Sequence, residues 1–161
     1  GQEAVQKEIV ADLEAEALFG ESSPLYLRLY EEDLIDSSFG GGFETIEGMA
    51  LLSISGDSED PEAVLDAILE QAKVLVSQGL AERDFLRMKR SALGRRIRDL
   101  DSFDSTCYRI CAYYFSGFDY FLFPSVYRDI TAADVCRFLD DFITKERMSL
   151  AVIYPNKEDI A

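Results

Sequence analysis

EAEALFGESSPLYLRLYEEDLIDSSF, residues 14–39, is the stretch on which the reading of the chain turns. It reads as the end of one amphipathic helix, a Gly20-Glu21-Ser22-Ser23 break, a second short helix and the entry to a strand. Glycine suits a helix end because it reaches positive φ without penalty. Ser22 or Ser23 can cap the second helix, with Pro24 at its first position, where no backbone N–H is needed. Leu25 and Leu29, like Tyr26 and Tyr30, then recur at helical spacing. By pattern alone this is a helix–turn–helix packing element.

On the N-terminal side, residues 2–19 read as a helix with Val5, Ile9, Leu13 and Ala17 down one face and Glu3, Lys7, Glu8, Asp12, Glu14 and Glu16 mostly on the other. On the C-terminal side, residues 37–55 read as a β-hairpin with its turn at Glu47-Gly48 and a return strand over 49–55. Ala50, Leu52 and Ile54 share one face of that strand. Gly40, Gly41 and Gly42 remove side chains from the first strand. That suits either a structural bulge or a groove where an extended peptide comes close. No Gly-Lys-Ser/Thr follows, so a phosphate loop is a poor fit.

Asp60-Pro61-Glu62 starts a third helix that Gly79 ends, and a fourth is predicted over 82–100. Seven of the 16 basic residues lie between Arg83 and Arg98. They form either a solvated face that neutralises acidic neighbours or a docking surface for an acidic partner. Arg83, Arg87 and Arg90 share a face and are the contact candidates. Arg95 and Arg98, near the helix end where positive charge is favourable, are expected to be mainly structural. Ser102 caps a helix to about residue 117, and the connector 118–124 is unusually aromatic. Thr131 and Asp134 frame a capping box for a last helix. Met148–Tyr154 reads as a buried strand ended by Pro155, with a loose polar tail behind it.

Across 161 residues the net charge is −15, which disfavours a nucleic-acid partner or an anionic membrane. No apolar run approaches the ~20 residues of a membrane span. Cys107, Cys111 and Cys136 are an odd set without a disulfide framework, which suggests a reducing, cytoplasmic setting. They read as small buried residues, because no fourth ligand accompanies them. Histidine is absent, which removes Ser-His-Asp triads, Cys-His dyads and His-based metal sites. The carboxylate runs at Glu31-Glu32-Asp33 and Asp140-Asp141 point different ways on a helix and make no acid/base pair. Residue types thus yield no catalytic residue and no metal site.

Gly20-x-x-Ser23-x-Leu25-Tyr26, then Leu29-x-Glu31-Glu32-x-Leu34 and a glycine-rich hairpin, resembles the insulinase-type (pitrilysin-like) zinc metallopeptidases, in their C-terminal, non-catalytic half and their YmfH-like bacterial branch. Gly79-Leu80-x-Glu82-x-x-Phe85-x-x-x-Lys89 and Ile130-Thr131-x-x-Asp134-Val135 resemble two further runs of that family, in the family's order. The resemblance covers nearly the whole chain. It implies an α+β fold, an antiparallel-rich sheet with helices packed on one face. The chain is expected to be one half-domain over 1–161 and a fragment of a longer one.

The resemblance also implies a function. The family's other half carries an inverted His-x-x-Glu-His motif and holds zinc, so zinc is expected in that missing half and not in this chain. In active relatives the present half lends an Arg and a Tyr to the substrate. The matching positions here are near Tyr30 and Asp36, and neither residue matches. The implied role is to close a chamber against the catalytic half, in the same chain or a partner subunit, and to hold peptide. Tyr30, Asp36 and Gly40–Gly42 are the candidate substrate contacts. This chain alone is expected to be inactive, and the intact protein to be a zinc metallopeptidase. A scaffold subunit of the same fold and an unrelated acidic interaction module are the alternatives.

Overall fold

A computed structural model describes residues 1–46 and 49–155. Helix α1 (Gln2–Phe19) is the axle of the molecule. Its buried residues include Ile9, Ala11, Leu13, Glu14, Ala15, Leu18 and Phe19, which cover most of its circumference and leave a narrow acidic stripe of Glu8, Asp12 and Glu16 open. This departs from the one-faced helix that the periodicity predicts. A helix packed over most of its circumference has little solvent face to hold its polar residues, and Glu14, on a packed side, is 0 % exposed in consequence.

Two hydrophobic clusters share this axle. The first gathers Val5, Ile9 and Leu13 with Phe85 and Met88 of α4 (Glu82–Arg98) and with Tyr120, Phe123, Val126 and Ile130. Much of the aromatic connector is therefore core; a single 3₁₀ turn and a short helix, α6 (Phe123–Asp129), place Phe118, Tyr120 and Phe123 inward and leave Phe121 outside. The second gathers Leu18 and Phe19 with Leu25 and Leu29 of α2 (Pro24–Glu31), Phe39, Ile68 of α3 (Pro61–Gln78) and Leu139 of α7 (Ala132–Phe142).

Local chemistry fixes the joints. Ser23 Oγ accepts from Tyr26 N at 3.1 Å and donates to Leu18 O at 2.8 Å, tying the start of α2 to the end of α1. Asp60 caps α3 and Thr131 with Asp134 completes a capping box on α7, as the sequence predicts. Gly79 ends α3 at φ 77°, where a side chain would be strained. Gly20 differs: its φ is −61°, so its need is space, since a Cβ there would lie 2.5 Å from Glu16 O.

Strands β1 (Gly40–Ile46) and β2 (Met49–Ser55) pair antiparallel, Gly41 opposite Ile54 and Phe43 opposite Leu52. Phe43 meets Phe138 and Phe142 of α7 edge-on, so helices cover that face. The architecture is α+β with an antiparallel sheet. The turn expected at Glu47-Gly48 and the tail 156–161 lie outside the described residues.

Two expectations fail. Met148–Tyr154 forms no strand, and Ile153 is 97 % exposed. A strand needs a ladder neighbour, and the sheet among the described residues is only β1–β2. Cys107 and Cys111 are exposed, not buried, because α5 (Phe103–Phe115) buries none of its residues. That helix turns Phe103, Tyr108, Tyr114 and Phe115 outward.

Candidate functional site

The first residues of β1, the second half of α1 and the end of α4 enclose a cleft of about 930 Å³. Phe39, Gly40, Gly41 and Gly42 line one side, and Arg95, Arg96 and Arg98 line another. Asp12, Glu16, Asp99, Arg109 and Tyr127 complete it.

The three glycines are not equivalent. A Cβ on Gly40 or Gly42 would meet nothing within 4 Å. A Cβ on Gly41 would lie 3.1 Å from both Phe19 Cδ2 and Ile54 Cγ1, and 3.2 Å from Ser53 O. Alternation along the strand explains the difference: residue 41 faces α1, while 40 and 42 face away. Gly41 serves close packing; Gly40 and Gly42 line the cleft through their backbone, and a side chain on either would point to the opposite face of the strand.

The arginines are held in different ways. Arg95 Nη2 pairs with Glu16 Oε2 at 3.2 Å, and Arg109 Nη2 with Asp99 Oδ2 at 2.8 Å. Arg96 is only 7 % exposed. Its Nη2 donates to Glu8 Oε1 at 2.8 Å and to Tyr113 Oη at 3.2 Å, and Tyr113 Oη donates in turn to the same Glu8 oxygen. The guanidinium also lies 5.8 Å and 5.9 Å from the ring centres of Tyr113 and Phe123. Its Nη1 is buried with no hydrogen-bond partner. Burial works against the Arg96 charge, yet Tyr113, Glu8 and Tyr127 outweigh it and hold the group above its usual range. Burial, then the Glu8 hydrogen bond, raise Tyr113. Burial, then the Glu8 charge, push the Asp12 carboxyl up to about 6, against the pull of Arg96, Arg95 and Arg109. Arg98 is exposed and makes no ion pair among the described residues.

Of the residues singled out in the sequence, Gly40–Gly42 line the cleft and Tyr30 and Asp36 do not. Tyr30 is half-exposed and stacks on Tyr26 with ring centres 5.9 Å apart. Asp36 accepts from Ser38 N at 2.8 Å and from Ser38 Oγ; that side-chain bond, then the backbone bond, hold its carboxyl below the usual range. Arg83 and Arg90 are exposed outside the cleft, while Arg87 donates from both Nη atoms to Ser22 Oγ at 3.2 Å, on the cleft rim. The other end of the basic helix supplies the cleft. Arg95 pairs with Glu16 at the cleft wall; Arg98, expected like it to be mainly structural, lines the cleft unpaired among the described residues, and Arg96 lines it without having been singled out in the sequence. A signal was present: Glu8, Asp12 and Glu16 repeat every four residues on α1 and match the arginines near the end of α4. Among the described residues no three His, Cys, Asp or Glu side chains converge as a metal site. With histidine absent, the donor set does not fit catalytic zinc, and no step here runs through a metal.

The fold is an α+β domain, and its candidate site is an arginine-walled cleft beside a bare strand. The family model described as the Peptidase M16 inactive domain matches residues 1–92, more than half of the chain, and the chain belongs to that family. Over 158 residues, 96% of its length, it is 28% identical to YmfH, described as a zinc protease, of Bacillus subtilis (strain 168). It superposes with TM-score 0.80 and 19% identity, over 88% of its residues, on a structure described as an M16-like peptidase from Alicyclobacillus acidocaldarius. The chain spans about a third of the length of each of those two relatives, 36% and 34%. A structure described as a zinc protease from Bordetella pertussis Tohama I gives TM-score 0.68 at 18% identity, with 88% of this chain and 81% of that one covered. At these identities the structural matches establish the fold. Family membership sets aside the unrelated interaction module.

Proposed function

We propose that this domain holds an extended peptide along the Gly40–Gly42 backbone and closes a chamber against a homologous zinc-bearing half, in the same chain or a partner subunit. The observation that carries this reading is the cleft: β1 has an edge without a ladder partner among the described residues, and Gly40 and Gly42 put nothing in the way of an approaching main chain. A peptide there would gain main-chain hydrogen bonds, the mode of recognition by strand addition. Zinc and the hydrolytic step belong to the other half. The outward aromatic face of α5, together with Arg83, Arg87 and Arg90, supports a partner, since monomers rarely leave such apolar area open. Three free cysteines, two of them exposed, support a reducing compartment. No helix of the described residues is long and apolar enough to cross a membrane. Tyr30 and Asp36 stand away from the cleft, so the domain's part is holding peptide rather than assisting bond cleavage.

The test mixes this domain with the separately expressed zinc-bearing half and follows cleavage of a fluorogenic peptide. Cleavage that requires both, with none from this domain alone, supports the reading. Full activity of the other half without this domain would leave it a scaffold.

A further inference from the structure

Resting on the peptide-holding reading, we propose that the cleft selects a peptide that presents a carboxylate to Arg96 and Arg98. Arg95 and Arg109 have their charges met by Glu16 and Asp99. Arg96 is different. Its Nη2 is tied to Glu8 and Tyr113 and its plane is held near two aromatic rings, so the group cannot swing away to find solvent. Nη1 stays buried without a partner. A buried N–H of a charged group left unpaired is costly, and the cost is recovered when an acceptor arrives. Arg98 follows two residues later, lines the same cleft and is exposed without an ion pair among the described residues.

A carboxylate matches this pair. It has two oxygens for two guanidinium donors, and charge-assisted bonds of this kind are about twice as strong as neutral ones. The protein as a whole, at net charge −15, repels anions, so an anion is drawn only where arginines gather, as they do at this cleft. Asp12 and Glu21 also line the cleft and oppose an incoming anion, Asp12 from beside Arg96. Removal of the Asp12 charge should therefore help binding. An acidic side chain within the peptide and a free C-terminus offer the same chemistry.

Three fluorescein-labelled heptapeptides of one alternating Thr/Val sequence separate these sources by fluorescence anisotropy at pH 7. One has a central Gln and an amidated end, one a central Glu and an amidated end, and one a central Gln and a free C-terminus. The domain should bind one of the two carboxylate peptides about tenfold more tightly than the neutral one. Arg98→Gln, an exposed change, should bring that ratio close to one, and Asp12→Asn should raise it. Equal affinity for all three, with Gly42→Val weakening each, would overturn the carboxylate selection and leave the peptide-holding reading intact. A tenfold preference that survives Arg98→Gln would overturn it equally. Failure of all three peptides to bind would remove both proposals.

Discussion

Replacing Gly42 and replacing Gly41 with valine should have opposite consequences, although the residues are neighbours. At Gly42 nothing lies within 4 Å of the new Cβ, so the fold accepts it. The unfolded chain loses freedom, which contributes about 0.4–1 kcal/mol to stability. At Gly41 the first added carbon is 3.1 Å from Phe19 and Ile54 and 3.2 Å from a carbonyl oxygen, and valine adds two methyl groups beyond it. Overpacking of that kind costs about 1–3 kcal/mol. For a chain of this size that is a fall of about 2–12 °C in Tm, taking ~2–4 °C per kcal/mol. Gly42→Val should melt at or slightly above the parent temperature. Peptide affinity should reverse the order of interest: Gly42→Val, stable, loses about tenfold or more, because its branched side chain crowds the backbone edge on which the peptide would pair. Thermal melts by circular dichroism and anisotropy with the heptapeptides measure both. A Gly41→Val protein as stable as the parent would refute the packing argument, and a Gly42→Val protein with unchanged affinity would refute the site.

Three further outcomes are expected. Burial raises the Glu14 carboxyl to about 8, above its ordinary 4.5; stability from this group is therefore full below pH 4.5 and is lost as pH rises toward 8, by roughly 3 kcal/mol at pH 7. Denaturant melts of Glu14→Gln should be flatter across that window and show a more stable protein at pH 8; identical pH profiles would remove the claim. Ser23→Ala deletes both a helix cap and the link to Leu18 O, so it should cost about 1–2 kcal/mol in urea unfolding. Changing Arg83, Arg87 and Arg90 together to Gln should leave Tm nearly unmoved, since exposed pairs contribute ~0–1 kcal/mol each, while weakening salt-sensitive binding to the zinc-bearing half; a large drop in Tm with binding retained would make them structural.

The helix ends were legible in the sequence because capping is local: Ser23-Pro24, Asp60-Pro61 and Thr131 with Asp134 act within one turn of themselves. The glycine hairpin was legible for the same reason. The burial of Glu14 was not, since periodicity reports one face and α1 is covered over most of its circumference. Phe118, Tyr120 and Phe123 read as a connector because their partners, Val5, Ile9 and Phe85, are far away in the chain. Half of the cleft was visible as Gly40–Gly42. The other half was hidden because Arg96 and Arg98 join it only when α4 lies along the acidic stripe of α1. The exposure of Cys107 and Cys111 was hidden too, because small apolar residues on an outward helix look the same in sequence as buried ones.

The most direct measurement is an amide NMR titration of the ¹⁵N-labelled domain with the tighter-binding heptapeptide, followed by hydrogen exchange of the complex. Strand addition at the cleft predicts that shifts centre on Gly40–Phe43 and Arg95–Arg98, with new exchange protection for amides of β1. Shifts confined to the aromatic face of α5, or no protection anywhere in β1 at saturating peptide, would contradict it.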